Sequence, residues 1–134
     1  IAQLARFKVS EKHQMGQRVS WCAPGQLDEI TARDVADAAA AGDELALEIY
    51  RISATYLGRG LAIVIDLINP EVIVIGGTLS VAKEYLMLPV RNAINKYSLM
   101  LVNKDTQIKL SSLGERAGVM GACLLARSKS LGLF

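Results

Sequence analysis

The segment Val72 to Ser80 reads VIVIGGTLS and holds the residues best placed to do chemistry. A β-branched run ends on two glycines, and hydroxyl side chains follow. Without Cβ atoms at Gly76 and Gly77, a ligand can come close to the backbone. The next helix, which Ser80 can cap, would offer free N–H groups to an anion or a polar ring edge. The ends of parallel strands are where open α/β sheets bind ligands. The same two glycines equally suit a tight turn with no ligand, and the local pattern leaves both readings open. A GxGxxG fingerprint is absent and no GK[ST] follows, so the turn is neither a dinucleotide fingerprint nor a P-loop.

The other reactive side chains read as structural. His13, the only histidine, sits between Lys12 and Gln14 on the polar face of a predicted helix and is expected to be solvated. No HxxxH or CxxC spacing marks a metal site. Cys22 and Cys123 are far apart and read as free thiols of a reducing compartment, with a disulfide between them left open. Asp66 lies in an apolar stretch, which favours a buried carboxylate hydrogen-bonded to nearby backbone. Asp43, Glu44 and Glu48 read as capping and solvated residues. Ser111 and Ser112 follow a predicted strand, but no histidine partner stands in any motif, so they are weak nucleophile candidates.

The elements that must position the Gly-Gly turn can be read from spacing. Ile1 to Gln14 is a predicted helix, with Ile1, Leu4, Ala5 and Val9 as its apolar stripe, and Gly16 ends it. Gln17 to Glu29 is a loop that Trp21 pins to the body. Thr31 with Asp34 forms a capping box, and Ile30 with Val35 has the spacing of a hydrophobic staple. Gly42 closes that helix, and Asp43 caps a longer one. In the long helix Leu45, Ile49, Ile52, Tyr56, Ile63 and Leu67 follow three/four spacing, and beyond Leu57 it is apolar on nearly every side. Gly58 and Gly60 each cost about 1 kcal/mol of helix propensity, which implies close approach of a neighbouring backbone.

Asn69-Pro70 stops the long helix. Glu71 to Ile75 suits an interior strand of a parallel sheet covered on both faces. A helix follows in which Pro89 makes a kink or a restart, and then a second strand from Thr106 to Ser111, with Ile108 and Leu110 on one side. A helical crossover between two strands forces a parallel βαβ unit. A last helix runs from about Glu115 to Ser130, with Gly118, Gly121, Ala122 and Ala126 giving it a thin face for tight packing.

Composition narrows the function classes. The 134 residues are 51% hydrophobic and carry a formal charge of +2 from 15 basic and 13 acidic side chains. Without a Lys/Arg cluster there is no basic face for nucleic acid or membrane. The most apolar run, Leu61 to Ile75, is broken by Asp66, Asn69, Pro70 and Glu71, and a span needs about 20 mostly apolar residues, so no membrane role is expected. No signal peptide opens the chain, and a cytoplasmic protein is expected. The mean hydropathy of +0.30 implies surface meant to be covered. Two parallel strands make a poor sheet alone, so the chain is expected to be part of a larger one. Leu61, Ile63, Val64, Ile65, Val72 and Val74 should then lack cover.

The order of these pieces resembles the C-terminal half of the ROK family (repressors, open reading frames and kinases), which has the actin/hexokinase-like fold. The resemblance rests on ITARDVADAAAAGDELALEI from Ile30, YLGRGLAIVIDLINPEVIVIGG from Tyr56 and IKLSSLGERAGVMGACLLA from Ile108. Ile1 to Gln17 is loosely similar to the helix that follows the family's zinc knuckle. The resemblance implies an α/β fold, with residues 1–134 as a partial C-terminal, nucleotide-side lobe carrying two parallel strands. It also implies that Gly76, Gly77 and Thr78 border the base and ribose of ATP.

An intact protein of this kind would use ATP with Mg²⁺ to phosphorylate a hexose or N-acylhexosamine, and would be a homo-oligomer. The family's phosphate loop, catalytic aspartate and Cys-rich zinc knuckle have no counterpart here, and Cys22 does not match the knuckle. Structural zinc is therefore expected only in an upstream segment, and the chain alone is expected to be inactive. One rival is a ROK sugar-responsive repressor, the only reading with a nucleic-acid partner. The other is a stand-alone binding or dimerisation domain.

Overall fold

The computed structural model describes residues 1–77, 83–99 and 106–132. Capping chemistry sets the first boundaries. Helix α1 spans Ala2–Gln14 and buries Ala5 and Val9. The chain reverses at Gly16, where φ is +73°, and the Gln17 N–H donates back to the Lys12 carbonyl at 2.9 Å. This reversal alters one expectation. His13 is half-buried rather than solvated, and its Nε2 is out of water with no partner among the described residues. Trp21 packs half-buried against the core, as the sequence implies.

Helix α2, Ala32–Ala40, starts on a complete Thr31/Asp34 capping box. The Thr31 N–H and hydroxyl both donate to Asp34 Oδ2, at 2.8 and 2.6 Å. These bonds hold the Asp34 carboxyl below its usual range. Ile30 and Val35 on either side of the cap are both buried. Helix α3, Glu44–Ile68, starts where Asp43 Oδ1 accepts the Ala46 N–H at 2.9 Å. It ends at Asn69, left-handed at φ +49°, immediately before Pro70.

The buried stripe of α3 departs from the one its large residues predict. Leu45 and Ile49 are buried, but Tyr56, Ile63 and Leu67 are 67%, 61% and 79% exposed. From Ala54 onward the buried side is Ala54, Gly58, Ala62 and Ile65. Helix α4, Lys83–Tyr97, causes this rotation. A Cβ at Gly58 would stand 2.5 Å from the Ala93 Cβ and 2.7 Å from the Val90 carbonyl oxygen. Only small residues fit at such a crossing, so the larger side chains turn outward. Gly60 has no such role, because a Cβ there would meet nothing within 4 Å. Pro89 lies inside α4 and does not restart it. Asp66 is half-buried and accepts the Ser98 hydroxyl and the Leu99 N–H at 2.7 and 3.0 Å, which ties the end of α3 to the end of α4.

Strands β1, Val72–Ile75, and β2, Gln107–Leu110, pair in parallel with Val72 opposite Gln107 and Ile75 opposite Leu110. Ile75 is buried and Ile73, Ile108 and Leu110 are half-buried, so one face of the pair joins the core. The other face is open. Val72 and Val74 are 42% and 61% exposed, so β1 is covered on one face, not two, among the described residues. Of the six side chains expected to lack cover, Ile63, Val64, Val72 and Val74 are exposed, Leu61 is half-buried and Ile65 is fully buried.

A short 3-10 turn, Gly114–Arg116, leads into α5, Ala117–Ser130, which buries no residue. Its thin face finds no tight partner here, since a Cβ at Gly118 or Gly121 would meet nothing within 4 Å. Cys22 is buried and Cys123 exposed, and both are free thiols.

The two glycines of α3 should respond in opposite directions to the same change. Gly58→Ala forces α4 away and should cost about 1–3 kcal/mol, the usual range for overpacking. Gly60→Ala meets open space and should gain about 0.5–1 kcal/mol from helix propensity. Denaturant unfolding of both variants checks this, and a shift of the same sign in both would contradict the crossing geometry.

Candidate functional site: paired turns at the strand ends

Because β1 and β2 run parallel and in register, the turns that leave them emerge side by side. The Ser111 N–H donates to the Ile75 carbonyl at 2.8 Å, which carries the pairing one step past the last strand residues. Gly76 therefore lies beside Ser111. Among the described residues, a Cβ on Gly76 would meet the Ser111 Cβ at 3.6 Å, an ordinary contact distance. Gly76 does not have a positive φ, whereas Gly77 does, at +75°. Gly77 is thus required by backbone conformation and Gly76 by nothing among the described residues. Both are exposed, and no atom lies within 4 Å of a Cβ position on Gly77. Thr78, the third expected member, lies outside the described residues.

The second turn runs from Ser111 to Gly114. The Ser111 Oγ accepts the Leu113 N–H at 3.2 Å, and Gly114 reverses the chain at φ +54°. The sequence reading weighed Ser111 and Ser112 only as nucleophiles. The usable signal was the parallel pairing itself, which brings the residues after each strand to one end of the sheet.

These turns offer exposed backbone with little side chain above it. That suits a flat polar group and does not suit proton transfer, because Gly76, Gly77 and Ser111 to Gly114 include no acid or base. Groups with displaced protonation lie elsewhere and are structural. Burial pushes the Cys22 thiol up, with Asp34 and Glu29 adding to the effect, so it is not a reactive thiolate. Burial, and then Asp37, pushes the Tyr50 phenol up; its hydroxyl reaches the Ala32 carbonyl at 3.5 Å.

Three hollows lie away from the turns. Two, of about 420 and 470 Å³, share Arg91 and Ile108 on the outer flank of β2. A third, of about 430 Å³, lies between α3 and α4 beside Arg51, Asn92 and Lys96. Their charged side chains are exposed, and no buried polar group converges in any of them. The strand-end turns are the better candidate because they set exposed glycines at the end of a parallel pair. Among the described residues no group of three or more His, Cys, Asp or Glu could hold a metal ion. No described helix is long and apolar enough to cross a membrane.

Comparison with known proteins gives a consistent picture. Residues 8–129 match the model of the ROK family. A glucokinase of Halalkalibacterium halodurans is 34% identical over 129 residues, which cover 96% of this chain and 38% of that protein. The transcriptional dual regulator NagC of Escherichia coli is 31% identical over 107 residues, covering 80% of this chain and 26% of that protein. A crystal structure of a ROK family glucokinase from Streptomyces griseus, in complex with glucose and AMPPNP, superposes with a TM-score of 0.80 at 26% identity. The match covers 95% of this chain and 41% of that one. The chain thus spans well under half the length of these relatives, and its fold is part of the actin/hexokinase-like α/β class.

The two glycines of the turn should be separable by stability alone. Gly77→Ala places a Cβ in the left-handed region and should cost about 1–2 kcal/mol. Gly76→Ala should change stability by less than about 0.5 kcal/mol, the usual range away from strained or buried positions. Urea midpoints measure both, and a large loss at Gly76 would make that glycine a structural requirement.

Proposed function

This chain belongs to the ROK family, and we propose that it forms the nucleotide-side, C-terminal lobe of an ATP-dependent kinase acting on a hexose or N-acylhexosamine. The observation that supports the reading is the exposed Gly76-Gly77 turn at the end of β1, where, among the described residues, a Cβ on Gly76 would meet Ser111. Such a cradle fits the flat adenosine of a nucleotide. The glucokinase relatives, one of them holding glucose and AMPPNP, support the same choice of substrates.

In this reading Gly76, Gly77 and Thr78 border the base and ribose, and their lack of bulk lets the ring reach the backbone. Bound ATP with Mg²⁺ supplies the phosphoryl group that a sugar hydroxyl accepts, with ADP leaving. The lobe's own contribution is to bind and orient the nucleotide and to exclude water when the lobes close. An aspartate outside this chain takes the hydroxyl proton. Zinc has no fit here, since the Cys22 thiol is buried and directed at the Ala23 carbonyl, 3.6 Å away. A structural zinc would belong to an upstream Cys-rich segment. The protein works in the cytoplasm as a homo-oligomer, and residues 1–134 alone transfer no phosphoryl group.

The match to NagC favours one second reading, a sugar-responsive repressor built on the same lobe. The test is sugar-dependent ADP release by the complete gene product, run across hexoses and N-acylhexosamines. Turnover with at least one sugar is expected. Gly76→Val should weaken ATP binding about tenfold or more, equivalent to roughly 1.4 kcal/mol, with its melting temperature little changed. No turnover with any sugar, together with sugar-sensitive binding to operator DNA, would replace the kinase reading with the repressor one.

A further inference from the structure

Ser111 makes three separate connections at the strand ends. Its N–H holds the Ile75 carbonyl, 2.8 Å away, at the last residue before the Gly-Gly turn. Its Oγ accepts the Leu113 N–H at 3.2 Å and so fixes the second turn. Its Cβ lies 3.6 Å from a Cβ position on Gly76, the one contact there among the described residues beyond the chain neighbours. One half-buried residue therefore links the two turns, its backbone holding the Gly76-Gly77 side and its hydroxyl the Leu113-Gly114 side. We propose that Ser111 is a positioning residue for the nucleotide, which fixes the width of the cleft between these two turns and acts through Leu113 and Gly114. This inference rests on the nucleotide reading of the same turns.

The physical case depends on what removing the hydroxyl would leave. Leu113 is 42% exposed, so its N–H would turn to water with little loss of fold stability. What would change is the order of the turn. With its N–H released, Leu113-Gly114 samples more than one placement, and the cleft must be ordered each time a nucleotide binds. That cost falls on nucleotide affinity and not on turnover. A hydroxyl whose only task is to hold the fold would act on stability and on both substrates alike.

The test compares the wild type, Ser111→Ala and Ser111→Thr in the complete protein. It measures KM for ATP, KM for sugar, kcat and melting temperature, with AMPPNP affinity by calorimetry. Ser111→Ala should raise KM for ATP and the AMPPNP Kd about fivefold, the factor expected for one ordinary hydrogen bond. Its kcat, sugar KM and melting temperature should stay near wild type. Ser111→Thr keeps the hydroxyl and should restore most of the affinity. An unchanged ATP KM and AMPPNP Kd in Ser111→Ala, while the wild type binds nucleotide, overturns this inference alone. A fall in melting temperature with a parallel rise in sugar KM also overturns it, since that is general structural loosening. A wild type that binds no AMPPNP overturns both this inference and the nucleotide reading.

Discussion

The backbone-distance crossing of α3 and α4 at Gly58 sets the rest of the architecture. Helix α3 feeds β1 and helix α4 precedes β2, so the separation of the helices governs how the strands they deliver can meet. At Gly58 the helices leave no room for a side chain, with the Ala93 Cβ and the Val90 carbonyl oxygen where one would stand. The Asp66 carboxylate fastens the far end of the crossing to Ser98 and Leu99. Thr106 Oγ donates to the Pro70 carbonyl at 2.6 Å, which sets β2 beside the start of β1. The register that follows carries through to Ser111 and places two glycine-bearing turns together. The candidate site is therefore a consequence of packing some distance away from it.

The two edges of the strand pair differ chemically. In a parallel pair, successive residues direct their backbone groups to alternate edges. Gln107 and Ser111 donate toward β1, so Ile108 faces the outer edge of β2. There Arg91 reaches its carbonyl at 3.5 Å, and Lys109 and Gln107 are exposed nearby. Charged groups at an edge discourage further strand pairing. On β1, Val72 and Val74 leave an apolar face without cover among the described residues, a few positions after the exposed Leu67 and Ile68 of α3. The relatives are more than twice as long as this chain.

Much of this was legible in the sequence because it depends on local signals. The Thr31/Asp34 box, the Asp43 cap and the Asn69-Pro70 stop each rest on residues close in the chain, and the parallel crossover follows from the order strand, helix, strand. The Gly58 approach was also legible, as a helix glycine that needs a reason. Gly60 carried the same signal and was misread, because propensity alone cannot say which side of a helix has a neighbour. The buried stripe of α3 was misread for a related reason. Size marks the core only where space is available, and at a crossing of this kind Ala54, Gly58 and Ala62 outcompete Tyr56 and Ile63. His13 was misplaced because the polar neighbours Lys12 and Gln14 do not show which side of the helix end is covered. In the candidate site, Gly76 and Gly77 were visible from type and spacing. Ser111 emerged only from the pairing of strands more than thirty residues apart.

The central claim is that the paired turns at the strand ends receive a nucleotide. Amide hydrogen exchange of the complete protein, with and without AMPPNP, tests it most directly because it reports on backbone groups. The account predicts slower exchange concentrated in peptides covering Gly76-Gly77 and Ser111 to Gly114, with α1 and α2 unchanged. Protection elsewhere, with these two turns exchanging at the same rate in both states, would contradict it.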